Sequence, residues 1–75
     1  MILFGKVKEY NGFNGIIKGV DNKDYILQRK EVSYDNVIDV NDKVYFEPDY
    51  VETPETKEYI ARFVKKLDNK KELSK

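Results

Sequence analysis

Seventy-five residues make one small domain, and they include neither cysteine nor histidine. Disulfides and thiolate metal sites are thereby excluded, as are the commonest general base and the commonest metal ligand. Fourteen basic and fourteen acidic side chains cancel, so a basic surface of the kind nucleic-acid binders carry has to be local.

Residues 3–10 read as a half-buried strand, with Val7 set between Lys6 and Lys8. Asn11-Gly12 and Asn14-Gly15 flank Phe13, and Asn-Gly pairs tolerate positive φ, which predicts a tight connection. Residues 15–20 form a second strand, rich in β-branched Ile16, Ile17 and Val20. Asp21-Asn22-Lys23 is a turn. Residues 24–29 form a third strand, with Tyr25, Leu27 and Arg29 on one face and Ile26 and Gln28 on the other. Residues 30–40 carry Ser33, Asp35, Asn36 and Asp39 and read as a helical turn followed by a loop. Asn41-Asp42 leads into a fourth strand, residues 43–47, which carries Val44 and Phe46. Pro48 cannot donate to a ladder, so it ends that strand or marks an edge. Residues 52–56 are a polar hairpin loop around Pro54. Residues 58–67 form a fifth strand that includes Tyr59, Ala61 and Phe63. A helix competes there, because Ile60, Phe63, Val64 and Leu67 also fit helical spacing. Residues 68–75 are charged, lack a core pattern and are expected to fray, which leaves 1–67 as the folded domain. Five short strands at this spacing predict a small all-β barrel, whose closure removes exposed edges. A core of this size contributes only ~3–5 kcal/mol of net stability.

Gly5-Lys6-Val7-Lys8-Glu9-Tyr10-Asn11 resembles the opening strand of the cold-shock domain, Gly-Lys-Val-Lys-Trp-Phe-Asn. Phe13-Asn14-Gly15-Ile16-Ile17 is similar to a distorted form of that family's first RNA-binding motif, Gly-Phe-Gly-Phe-Ile. Asp24-Tyr25-Ile26-Leu27-Gln28-Arg29 stands where the second motif, Asp-Val-Phe-Val-His-Phe, would fall. Residues 40–46 parallel the fourth strand, and residues 61–67 resemble the closing Ala-Ala-Asn-Val-x-x-Leu. The resemblance spans residues 5–67. It implies a five-stranded antiparallel OB-type barrel that binds single-stranded RNA or DNA by stacking bases on aromatic residues.

Several of those aromatic positions are replaced. Glu9 stands at the tryptophan, Asn14 and Ile16 at the aromatics of the first motif, Ile26 and Arg29 at those of the second, and Gln28 at its histidine. Phe13 fills the Asn14 role if the loop is two residues shorter, and Tyr10 keeps an aromatic. Stacking is worth ~1–3 kcal/mol per base, so four lost platforms forfeit about 4–12 kcal/mol. A micromolar complex has only about 8 kcal/mol in all. The resemblance therefore implies weak binding of low sequence specificity. Its face comprises Lys6, Lys8, Tyr10, Phe13, Lys18, Gln28 and Arg29, with the cations on phosphates and Glu9 opposing them.

Each residue also has a plainer role. The lysines suit a solvated strand face, and Arg29 suits a pairing with a surface carboxylate. The tyrosines (Tyr10, Tyr25, Tyr34, Tyr45, Tyr50 and Tyr59) suit cross-strand packing. Tyr10 and Phe13 are expected to be exposed and Tyr25 to be core. If Ile17 and Leu27 point inward, Ile16 and Ile26 point outward. With Tyr10 and Phe13 they would make an apolar contact for a protein partner or a second copy, the alternative function. Catalysis has no support: Ser33 and Ser74 lack a histidine, and Asp21/Asp24 and Asp39/Asp42 flank turns where aspartate is common. No cofactor, metal or enzymatic activity is expected. No apolar run approaches the ~20 residues of a membrane span. Met1-Ile2-Leu3-Phe4 is shorter than the roughly 7–15 apolar residues of a signal peptide, so a cytoplasmic protein is expected.

Overall fold

Alternating apolar residues set the strands, glycine and asparagine set the earlier turns, and Thr53 with Thr56 closes the last one. The computed structural model describes residues 1–33 and 36–67; Tyr34, Asp35 and residues 68–75, with the expected frayed tail and Ser74, lie outside the described residues. The strands are β1 (Leu3–Tyr10), β2 (Asn14–Gly19), β3 (Asp24–Gln28), β4 (Lys43–Glu52) and β5 (Lys57–Lys66), with a short 3-10 turn at Arg29–Glu31. They close into a barrel in the order β1, β2, β3, β5, β4, and β4 returns to β1 through Leu3↔Phe46 and its neighbours. This is the expected all-β, five-stranded OB-type barrel. Its neighbours are antiparallel except at one seam, where β3 and β5 run parallel at Ile26↔Ile60 and a bridge Val32↔Val64 prolongs the contact. Residues 57–66 are strand, so the helical alternative fails: pairing with β4 along the whole segment outweighs helical spacing.

The buried core is Val7, Ile17, Tyr25, Leu27, Ile38, Val44, Phe46, Ala61 and Val64. Inward burial of each large member is worth about 1.5–3 kcal/mol, which carries a fold without disulfides. Tyr25 sits in the core as its phase with Leu27 predicts, its ring 5.0 Å from that of Phe46.

The structure departs from simple alternation at definite points. Val20 leaves β2 and is exposed, its N–H donating to the Phe4 carbonyl at 2.9 Å. Arg29 does not share the inward face of Tyr25 and Leu27, because the chain turns into the 3-10 segment there. β4 runs past Pro48, which pairs with Ala61. Pairing of β4 to β1 stops at Phe46, so Pro48 lies on an edge, where a residue lacking an N–H is tolerated. Tyr45 and Glu47 on β4 face Lys65 and Arg62 on β5, which places one extra residue in β5. Phe63 absorbs it with φ 53°, stands 63 % exposed, and leaves the core position to Val64. Phe63 therefore does not follow Tyr59 and Ala61 inward.

Candidate functional site

The outward face of β1 and β2 carries the expected lysines. Val7 points into the core, so Lys6 and Lys8 point to solvent, and Lys18 does the same beside the buried Ile17. Val7 faces Ile17 while Glu9 faces Ile16, so β1 holds one extra residue. Lys8 and Glu9 are consequently both exposed, and the phase beyond them reverses. Tyr10 turns back toward the core, half-buried, with its hydroxyl donating to the Gly12 carbonyl at 3.3 Å. The expectation of an exposed Tyr10 is corrected by this bulge.

The β1–β2 connection is short. The Asn11 side-chain oxygen accepts the N–H groups of Phe13 at 2.9 Å and Asn14 at 2.8 Å. Gly12 supplies a φ of 96°. This arrangement presents Phe13 at 72 % exposure. The Arg29 N–H donates to the Phe13 carbonyl at 3.0 Å, and Gln28 faces Asn14 across the ladder. Phe13, Gln28 and Arg29 thus converge at one end of the sheet, and Lys6, Lys8 and Lys18 at the other. Between them Ile16 faces Ile26, and Ile26 faces Ile60, in one row across β2, β3 and β5. Ile16 and Ile26 lie outward as expected but half-covered, as is Ile60 beside them, so the apolar strip is narrower than alternation alone suggests.

Electrostatics divides the cations. Asp24 receives Lys8 at 3.3 Å and Lys18 at 3.8 Å, through side chains about half exposed. Such surface pairs contribute ~0–1 kcal/mol and leave the lysines free to exchange partners. Among the described residues Lys6 meets no carboxylate, and neither does Arg29, in contrast to the surface pairing its sequence context allows. Arg62 takes that role instead, donating to Asp49 at 2.7 Å and Glu31 at 3.0 Å. The Arg62 hydrogen bond holds the Asp49 carboxyl below the usual carboxylate range.

The acidic pairs serve the turns. Asp42 accepts the Asp39 N–H at 2.8 Å, and Asp21 accepts the Lys23 N–H at 3.1 Å. Asp21 also accepts the Tyr25 hydroxyl at 2.8 Å. Desolvation, and then this bond to a carboxylate, push Tyr25 up to about 12. For Asp21 desolvation acts upward, but the bonds from Tyr25 and Lys23, with the Lys23 charge, outweigh it and leave the carboxyl below its ordinary value.

Two features lay outside the sequence-derived set. Lys43 faces Lys6, which itself faces Lys18, so three lysines stand in one row across β2, β1 and β4. Phe4 sits on the same outward face, two residues before Lys6 and 51 % exposed. Period-2 alternation counted back from Val7 was a signal for Phe4. Lys43 had no local signal, because its place beside Lys6 depends on barrel closure. Comparison with protein-family models finds no match to the chain, and comparison with curated proteins finds none either.

Proposed function

We propose that the barrel binds single-stranded RNA or DNA, weakly and with little sequence preference, through the outward face of β1, β2 and the β2–β3 end. The supporting observation is the grouping of Lys6, Lys8 and Lys18 on one sheet face that also presents Phe13, Gln28 and Arg29. The cold-shock resemblance of residues 5–11 points the same way. Phosphates would exchange with Asp24 at Lys8 and Lys18, and Arg29 is uncommitted to any carboxylate among the described residues. Phe13 is the one exposed stacking platform of the expected set, which limits affinity to a few kcal/mol beyond the phosphate contribution. An NMR titration with a short mixed-sequence single strand at low and high salt tests this. Salt-sensitive shifts clustered on Lys8, Phe13 and Arg29 are expected, and the Lys8→Glu, Arg29→Glu double variant should lose them. Undiminished binding by that variant would refute the surface.

The row of Ile16, Ile26 and Ile60 favours a second reading, a protein contact or self-association through the same sheet. Apolar association holds or strengthens with salt, whereas single-strand binding weakens with a slope near −0.7 per phosphate. Sedimentation of wild type and Ile26→Lys at high concentration separates the two: a monomer throughout removes self-association.

A further inference from the structure

The geometry points to a nucleotide-sized groove between β1, β2 and β4, in which Lys6, Lys18 and Lys43 hold a phosphate and Phe4 receives the adjoining base of a single strand. This rests on the single-strand binding proposed above, and it extends the contact to β4, away from Phe13 and Arg29.

Directly opposed like charges on neighbouring strands are destabilising. The row nevertheless places Lys18 against Lys6 and Lys6 against Lys43. Asp24, shared between Lys8 and Lys18, is the sole carboxylate paired with this cluster among the described residues; Lys6 and Lys43 have none. In a chain of net charge zero this is a concentrated local excess. An anion held by several ammonium groups removes the repulsion, which makes the complementary ligand a phosphate rather than a cation or a neutral molecule.

The apolar half of the groove argues for a base attached to that phosphate. Phe4, Val20 and Leu67 line a groove of about 290 Å³ together with the three lysines. Its size is at the lower end of small-ligand sites, suited to one nucleotide unit. Phe4 packs T-shaped against Tyr45, with ring centres 6.2 Å apart and planes at 81°, and remains half exposed. Val20, 71 % exposed, is tied beside Phe4 by its N–H bond to the Phe4 carbonyl. The Leu67 N–H donates to the Lys43 carbonyl at 2.8 Å and so closes the β4 side. Phe4 and Lys6, two residues apart on one strand, are separated by about 7 Å, a span that a nucleotide covers from base to phosphate.

The test uses the full chain, an oligothymidylate and, separately, inorganic phosphate, followed by NMR across a salt series. Phe4→Ala should weaken oligothymidylate binding roughly 5- to 150-fold, the equivalent of ~1–3 kcal/mol for one stacked base, and leave the salt slope unchanged. Lys43→Gln should lower that slope by about 0.7 and weaken binding at low salt. Both residues are exposed, and retained amide dispersion confirms that each variant folds. If both variants bind as wild type does while the Lys8→Glu, Arg29→Glu variant does not, the groove is wrong and the proposed function stands. If inorganic phosphate reproduces the shifts with equal affinity, the base platform is wrong. If wild type binds no oligothymidylate, both proposals fall.

Discussion

The β1–β2–β3 meander and the β4–β5 hairpin both redirect the chain, the first mainly at its turns and the second within its strands, with opposite residue choices. The meander uses Gly12 at φ 96° and Asn22 at φ 73°, and keeps Gly15 free of a side chain where β2 crosses the β1 bulge. The hairpin carries Phe63 at φ 53° and Pro48 inside a strand. In the first region local preference and fold agree; in the second, pairing and core packing override preference. A bulky residue in the left-handed region costs ~1–3 kcal/mol and persists only when its surroundings over-determine it. Those surroundings are visible: Glu31 accepts the Phe63 N–H at 3.3 Å, Arg62 grips the same Glu31 and Asp49, and Val64 is fully buried. The difference shows that strain is tolerated where tertiary partners lock both sides of the bend.

Three substitutions test this contrast. The largest effect belongs to Gly15→Ala. Its methyl would fall against the Glu9 carbonyl oxygen and 2.9 Å from the Tyr10 Cα, both backbone atoms that cannot rotate away. A loss of about 3 kcal/mol is expected in urea denaturation, most of the net stability of a domain this size. A loss below ~1 kcal/mol would mean that β1 and β2 separate at no cost.

Phe63→Gly runs in the opposite direction. Relief of the left-handed backbone, offset in part by the greater freedom of an unfolded glycine, should raise stability by about 0.5–1 kcal/mol. A lower melting temperature would show that the ring stabilises the fold more than its backbone conformation costs.

The smallest effect lies where the two regions meet, at Tyr25, whose ring is 5.6 Å from Tyr59 and 5.0 Å from Phe46. Its folded pKa of about 12 exceeds the ordinary 10.0. The corresponding stability is complete below pH 10.0 and is lost as pH rises through about 12. Asp21 behaves inversely: its folded value is depressed, so its contribution is present above the ordinary 3.8 and disappears as pH falls through the folded value. An ultraviolet titration of tyrosinate should show Tyr25 ionising late, and Asp21→Phe should bring it earlier by removing the acceptor. An unchanged titration in that variant would show that desolvation alone sets the Tyr25 value.

Local pattern determined much of the meander. Alternation about Val7, Ile17 and Leu27 put Lys6, Lys8, Lys18, Ile16 and Ile26 outward, and Asn-Gly at 11–12 placed the turn that displays Phe13. Tyr10 was misread because a single extra residue at Lys8–Glu9 reverses every face beyond it. On β5 an extra residue likewise turns Phe63 out of phase with Ala61. Which strands close the barrel was settled in three dimensions, and with it that Lys43 joins Lys6 and that, among the described residues, Arg62 rather than Arg29 is paired with carboxylates. Side-chain period is a property of neighbouring residues and is legible along the chain. Bulges, closure and ion pairing depend on register between residues far apart in sequence, where the packing of a shared core, not local preference, selects the outcome.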